Sequence, residues 1–147
     1  MAPNAPAGRR LGAAAILRDG AGRVLLVRHT YGHLNWELPG GFSEAEESAA
    51  ATALREVREE TGLTAEVGRL SGVYYEAEHD LHHFVFLCHA LGAGVPRPSS
   101  PEVSECRYWD VAALPRPLSD FTLRRIDDAL RAPGAAWTTI GPRRWVP

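Results

Sequence analysis

Disulfides cannot frame this chain, because its 147 residues include only two cysteines, Cys88 and Cys106, and small secreted scaffolds rely on several bridges. Two reduced thiols in a cytosolic protein are the expectation. Long apolar runs are missing as well. No stretch approaches the roughly 18 apolar residues of a membrane-spanning helix, so no membrane partner is expected. A basic excess is absent too. Sixteen basic residues against eighteen acidic ones leave a net charge of −2. An extended footprint for polymeric nucleic acid is therefore not expected, whereas a small anionic ligand is compatible with that balance. No internal repeat is visible, which argues against stacked-repeat architectures. Arg9-Arg10 ahead of Leu11–Leu17 looks briefly like a secretion signal. That apolar run stops at Arg18-Asp19-Gly20 and a second one follows at once, without a small-residue cleavage site. The expected location is the cytoplasm.

What is present suits one α/β domain. Apolar residues make up 45% and charged residues 23%, and a chain of this size removes about 70% of its unfolded surface from water. Residues 1–8 read as a flexible lead, 9–132 as the domain and 133–147 as a C-terminal tail. Two β-type runs, about 10–18 and 23–29, flank Asp19-Gly20-Ala21-Gly22 and predict a hairpin. Trp36-Glu37-Leu38-Pro39-Gly40-Gly41 predicts a tight loop. A helix is expected over 48–61, then strands over 65–75 and 81–90 joined by a polar turn, Glu76–Asp80. A loop over 92–101, a strand over 103–109 and a last helix over 119–131 complete the reading.

The first helix carries an anomaly. Ala50, Ala53, Leu54 and Val57 form its apolar stripe, while Glu56, Glu59 and Glu60 gather on another face in the last turns. Carboxylates there oppose the helix dipole, at about 0.3–1 kcal/mol each. A solvated acidic face is the ordinary reading of such a run. The competing one is a hard divalent cation, since Mg²⁺ takes one or two carboxylates together with substrate phosphates. A local rule broken without structural gain marks a candidate functional site.

The neighbouring residues bear on that choice. Gly41, Glu47, Arg55-Glu56-Val57, Glu59-Glu60, Gly62 and Leu63 stand at the spacing G-x5-E-x7-R-E-U-x-E-E-x-G-U, U being aliphatic. This resembles the Nudix box in full. The preceding Trp36–Gly41 segment and the later Glu102–Trp109 and Leu114-Pro115 resemble flanking parts of the same family, so the similarity covers about residues 10–131. One departure is Glu46, where relatives usually have glycine; the turn there lacks that residue's easy positive φ. Ser43 with Glu46 forms a capping-box pattern, whereas the resemblance favours Ser48 as the N-cap, and both stay open from sequence.

The resemblance implies an α/β (α+β) fold: an α/β/α sandwich with a mixed sheet and the box as loop, helix and loop. It implies hydrolysis of a nucleoside diphosphate linked to another moiety, with Mg²⁺ or Mn²⁺ as cofactor. Carried over by position, Glu56, Glu59 and Glu60 are metal ligands, the Gly40 carbonyl is a further one, and Arg55 orients the carboxylates. Gly40 and Gly41 let the backbone approach the phosphates, and Glu47 and Gly62 are structural parts of the box, with Glu47 a weaker ligand candidate; Trp36 is a substrate-binding candidate. The general base is Glu56 or Glu102, with a lean to Glu102. His82 and His83 fall on opposite faces of one strand and are read, with His79, as polar strand-end residues. Tyr74, Tyr75 and Trp36 are ring-stacking candidates with core packing as the equal alternative, and Glu66, Glu76 and Glu78 are read as solvated.

An enzyme is preferred over a silent nucleotide sensor because no box carboxylate is lost. A protein-interaction role for the Trp137–Trp145 tail is the weaker third reading. Subfamily signatures for ADP-ribose, coenzyme A, NADH and dinucleoside polyphosphates are missing, which leaves a small nucleotide-like substrate: nucleoside triphosphates, deoxynucleotides or nucleotide sugars. A homodimer is expected by the same resemblance.

Overall fold

The computed structural model describes residues 10–131 and 133–147; the expected flexible lead lies outside the described residues. Eight strands and two α-helices run in the order β1 (Gly12–Leu17), β2 (Val24–His29), β3 (Trp36–Glu37), β4 (Gly40–Phe42), α1 (Ala49–Thr61), β5 (Ala65–Glu76), β6 (Leu81–Ala90), β7 (Val103–Trp109), α2 (Asp120–Arg131) and β8 (Ala136–Ile140). A single turn of 3₁₀ helix, Ala77–His79, joins β5 to β6 where a polar turn was expected.

The expected hairpin splits. β1 lies in a five-stranded mixed sheet ordered β4-β1-β6-β5-β8, while β2 lies in a three-stranded sheet ordered β3-β2-β7. Among the described residues the two are joined at the turn alone, by the Arg18–Val24 bridge and the Asp19 N–H to the Arg23 carbonyl. The reason is in the composition of β1: all six of its residues are buried, so it has no solvent face and needs cover on both sides. Ala14 and Ile16 join a core layer with Tyr74, Val85 and the α2 residues Phe121, Ile126 and Ala129. Ala13, Ala15 and Leu17 join the opposite layer with Phe86 and the α1 residues Ala53 and Val57. Helix, sheet and helix thus stack as expected for two layers of core around one sheet.

Local chemistry fixes α1. Ser48 is the N-cap, accepting from the Ala51 N–H at 3.1 Å, which settles the choice left open between Ser48 and Ser43. Ser43 instead accepts from the Leu11 N–H. Gly62 ends the helix at φ +74° and donates to the Arg58 carbonyl, the left-handed stop that glycine takes without strain. Glu46 sits at φ +60°, a conformation that disfavours side chains.

Residues after 133 are stitched into the fold. β8 pairs parallel with β5, from Gly72–Ala136 to Glu76–Ile140, and Trp145 bridges back to Ser119. Trp137 remains exposed on this edge strand. Among the described residues no helix is long and apolar enough to cross a membrane.

Candidate functional site

β4 and the end of α1 meet at one spot. The small side chains of β1 allow it: a Cβ on Gly40 would stand 2.6 Å from the Ala13 carbonyl oxygen, and one on Gly41 would stand 2.5 Å from the Glu56 carboxylate. Glycine at both positions is therefore a steric requirement for bringing the β4 backbone against the acids of α1.

The three acids are not equivalent. Glu59 is largely exposed, at 54% of its side-chain surface, whereas Glu56 is mostly covered and Glu60 is only 6% exposed. Glu60 Oε1 accepts from the Gly40 N–H at 3.4 Å; its Oε2 is buried without a hydrogen-bond partner among the described residues. Burial, and then the adjoining Glu56 carboxyl, raise the Glu60 carboxyl far above the ordinary range. An orphaned carboxylate oxygen against a second carboxyl is the arrangement that a proton or a hard cation relieves. The donor set is all oxygen, so the residues fit Mg²⁺ or Mn²⁺ rather than a softer ion.

Arg55 organises the cluster. Its Nε and Nη2 donate to Glu47 at 2.7 and 2.9 Å, its Nη1 to Glu56 and Glu59 at 3.0 and 3.1 Å, and its Nη2 also to the Phe42 carbonyl. Glu47 further accepts from the Thr52 hydroxyl and the Glu44 N–H. The Arg55 hydrogen bonds, followed by that of Thr52, lower the Glu47 carboxyl to about 2. Glu47 is thus committed to fastening the loop to the helix, as a structural part of the box.

A groove of about 1030 Å³ opens over Gly40, Gly41, Arg55 and Glu56 and reaches Tyr31 and Glu102. Glu102 stands just ahead of β7, its carbonyl accepting from the Thr30 N–H. Among the described residues its side chain makes no hydrogen bond or ion pair. Trp36 is elsewhere: it is 3% exposed and meets Trp109 edge-on in the core. Of the two readings left open for Trp36, core packing fits: it belongs to the core cluster that holds Leu118 and Phe121 and does not line the groove. Tyr74 is likewise buried.

The aromatic residue in the right place is Tyr31, which the sequence reading missed. It is 53% exposed, stacks on His29 at 4.5 Å and lines the groove as well as two adjoining cavities. Its sequence signal was weak, a lone tyrosine outside any periodic run. Phe42 is shared by the same three spaces.

The smaller adjoining cavity, about 200 Å³, is walled by His29, Glu37, His83, Arg125 and Arg143. The larger, about 830 Å³, continues past His33, Glu76, His79 and Trp145. Glu76, expected in solvent, is buried; its two oxygens meet His79 Nδ1 and His83 Nε2, each at 2.6 Å. His82 points the other way onto Tyr75, as alternation along β6 required. Burial is the largest cause lowering the pKa of His29 and of His83. Glu76, Glu78 and His79 also bring ligand-type atoms within 4.8 Å of one another, although Glu76 is already engaged by both histidines.

Comparison with known proteins places this arrangement. The model of the NUDIX domain matches residues 8–130. A MutT-like protein of Streptomyces ambofaciens is 43% identical over 79 residues, covering 54% of this chain and 50% of that protein. An ADP-ribose pyrophosphatase of Methanocaldococcus jannaschii is 32% identical over 100 residues, covering 64% of this chain and 58% of that one. The chain thus matches only about half the length of these relatives. Among solved structures, an ADP-ribose pyrophosphatase from Streptococcus suis is similar at a TM-score of 0.71 and 25% identity, covering 89% of this chain and 98% of that one.

Proposed function

Because the chain belongs to the NUDIX domain family, we propose that it hydrolyses the pyrophosphate link of a nucleoside diphosphate joined to another moiety, with Mg²⁺ or Mn²⁺. The observation that carries this reading is the buried, partnerless Oε2 of Glu60 beside Glu56. Glu56, Glu59 and Glu60, with the Gly40 carbonyl, are the groups to hold the cation. When bound, it would supply charge that neutralises the phosphate oxygens and so lets water approach phosphorus. Arg55 holds Glu56 and Glu59 in place, and Gly40 and Gly41 keep the groove floor free of side chains, so that phosphates lie against backbone.

Glu102 is the base in this reading. It lines the same groove as Glu56, and its carboxylate takes a proton from water as the water oxygen bonds to phosphorus and the anhydride P–O bond breaks. Glu102→Gln should lower kcat by about 10²-fold or more; a near-normal rate would return the role to Glu56. Nucleoside triphosphates, deoxynucleotides and nucleotide sugars form the substrate range. ADP-ribose, set aside on its missing subfamily signature, rejoins that range because two relatives carry its name. A sensor without turnover is disfavoured, since every box carboxylate is present.

The test is hydrolysis of these nucleotides with Mg²⁺ in ¹⁸O-labelled water. Turnover that stops with EDTA and puts label on a phosphate product is expected. Turnover that survives exhaustive chelation, or label on a sugar or base carbon, would overturn the reading.

A further inference from the structure

Glu37 is 8% exposed, yet its two oxygens are treated very differently. Oε1 accepts from the Leu38 N–H at 2.8 Å, the Thr122 hydroxyl at 2.9 Å and Arg125 Nη2 at 2.5 Å. Among the described residues no hydrogen bond reaches Oε2, whose ion-pair neighbour is Arg143 Nη1 at 3.9 Å. Burial alone would raise this carboxyl, but the charges of Arg125 and Arg143 and the bonds to Leu38 and Thr122 outweigh it and hold Glu37 ionised. With Oε1 saturated, Oε2 keeps spare acceptor capacity, and Glu37 lines a cavity from which a donor can reach it.

Glu37 and Arg143 both line the 200 Å³ cavity next to Gly40 and Gly41, one step from the phosphate groove. Around it are flat or apolar surfaces: Tyr31, Phe42, Ala13, Ala14 and Leu38. The larger chamber beyond carries Arg10 and Arg143 against Glu76, Glu78 and Asp80. Arginines that do not outnumber the acids make a poor receptor for a second cluster of phosphates. Aromatic walls instead suit a neutral ring, which stacks on them whatever its substituents.

We infer that Glu37, through its idle oxygen, and Arg143 read the organic end of the substrate as a planar heterocycle that offers a hydrogen-bond donor beside an acceptor. This deepens the proposed hydrolase and rests on it. Glu37 accepts from an N–H of the heterocycle, in the ring or on an exocyclic amino group, and Arg143 donates to the neighbouring acceptor. Arg143 comes from the segment beyond the family match, placed by β8 and the Ser119–Trp145 bridge, so it belongs to this chain rather than to the shared box.

The experiment compares kcat/KM with Mg²⁺ for ATP, GTP, CTP, UTP, ADP-ribose and UDP-glucose against ribose 5-triphosphate, which has the sugar and phosphates but no base. The parent should prefer its best nucleotide over the base-free compound by at least tenfold. Arg143→Met should cut kcat/KM for that nucleotide tenfold or more, mainly through KM, and slow the base-free compound no more than twofold. Glu37→Gln replaces the idle acceptor with a donor and should reorder the bases, a change that mere loss of stability does not produce. A parent that hydrolyses nucleotide and base-free compound alike, or an Arg143→Met protein that loses both equally, overturns the inference and leaves the hydrolase standing. A parent that cleaves nothing in the panel defeats the hydrolase reading itself.

Discussion

Glu60→Gln should remove most turnover while leaving the metal-free protein at least as stable as its parent. The substitution keeps shape and removes one charge from a slot where Glu60 lies against Glu56, its Oε2 buried and partnerless among the described residues. Its new amide donates to the Glu56 carboxylate. With Mg²⁺ and substrate, loss of one anionic ligand is expected to lower kcat by about 10²-fold or more, the scale of removing one electrostatic group from a reaction centre. The pH dependence carries a sign. The folded carboxyl is raised above its ordinary 4.5, so below that pH both states hold the proton and Glu60 carries no penalty. Above it the unfolded chain ionises while the folded one resists, and stability falls by up to about 1.4 kcal/mol per pH unit toward the folded value. Melts in EDTA should therefore show the variant's advantage growing from pH 5 to pH 8. A variant melting well below the parent in EDTA would mean that Glu60 is structural.

The other large effect belongs to Arg55→Ala, and there stability and activity should fall together. The guanidinium makes five hydrogen bonds to Glu47, Glu56, Glu59 and Phe42. Without it the acids repel and the loop ahead of α1 loses its tie to the helix. Charged hydrogen bonds at a partly covered site contribute about 1.5–3 kcal/mol, which lowers Tm by roughly 3–12 °C in a domain of this size. Arg55→Lys should recover part of the stability and little of the rate, since an ammonium cannot span acceptors set in a fork. Thermal melts beside a rate assay decide it; an alanine variant that melts with the parent would refute the tie.

What the sequence made legible was local. Gly62 and the acids of α1 could be read because the helix stop and carboxylate spacing are set within a few residues, whereas the cap stayed open between Ser43 and Ser48 because both lie within local reach of the helix start. Alternation along β6 placed His82 and Phe84 apart from His83 and Val85 for the same reason. Other features depend on partners far along the chain. The β1–β2 hairpin failed because an apolar turn-flanked pair does not say which sheet each strand joins. Trp36 stayed open between stacking and core packing because it precedes the box, whose spacing says nothing of which way β3 turns. Glu76 looked solvated until β6 brought His83 beside it, and β8 was unreadable because its partner, β5, lies some sixty residues earlier.

The way β8 returns to the sheet has a consequence for how the molecule can change. Everything assigned to breaking the anhydride, apart from Glu102, lies within residues 40–60, a continuous stretch that one local fold assembles. The surfaces around the organic end come from Tyr31, Glu37, His83, Arg125 and Arg143, five separate places on the chain. Random substitution therefore strikes the two halves differently. A change in the continuous stretch disturbs several reacting groups together, whereas a change at the last strand alters a single wall. Directed evolution toward a new substrate should accumulate its gains after residue 133 and at Tyr31, and leave untouched the helix proposed to hold the cation.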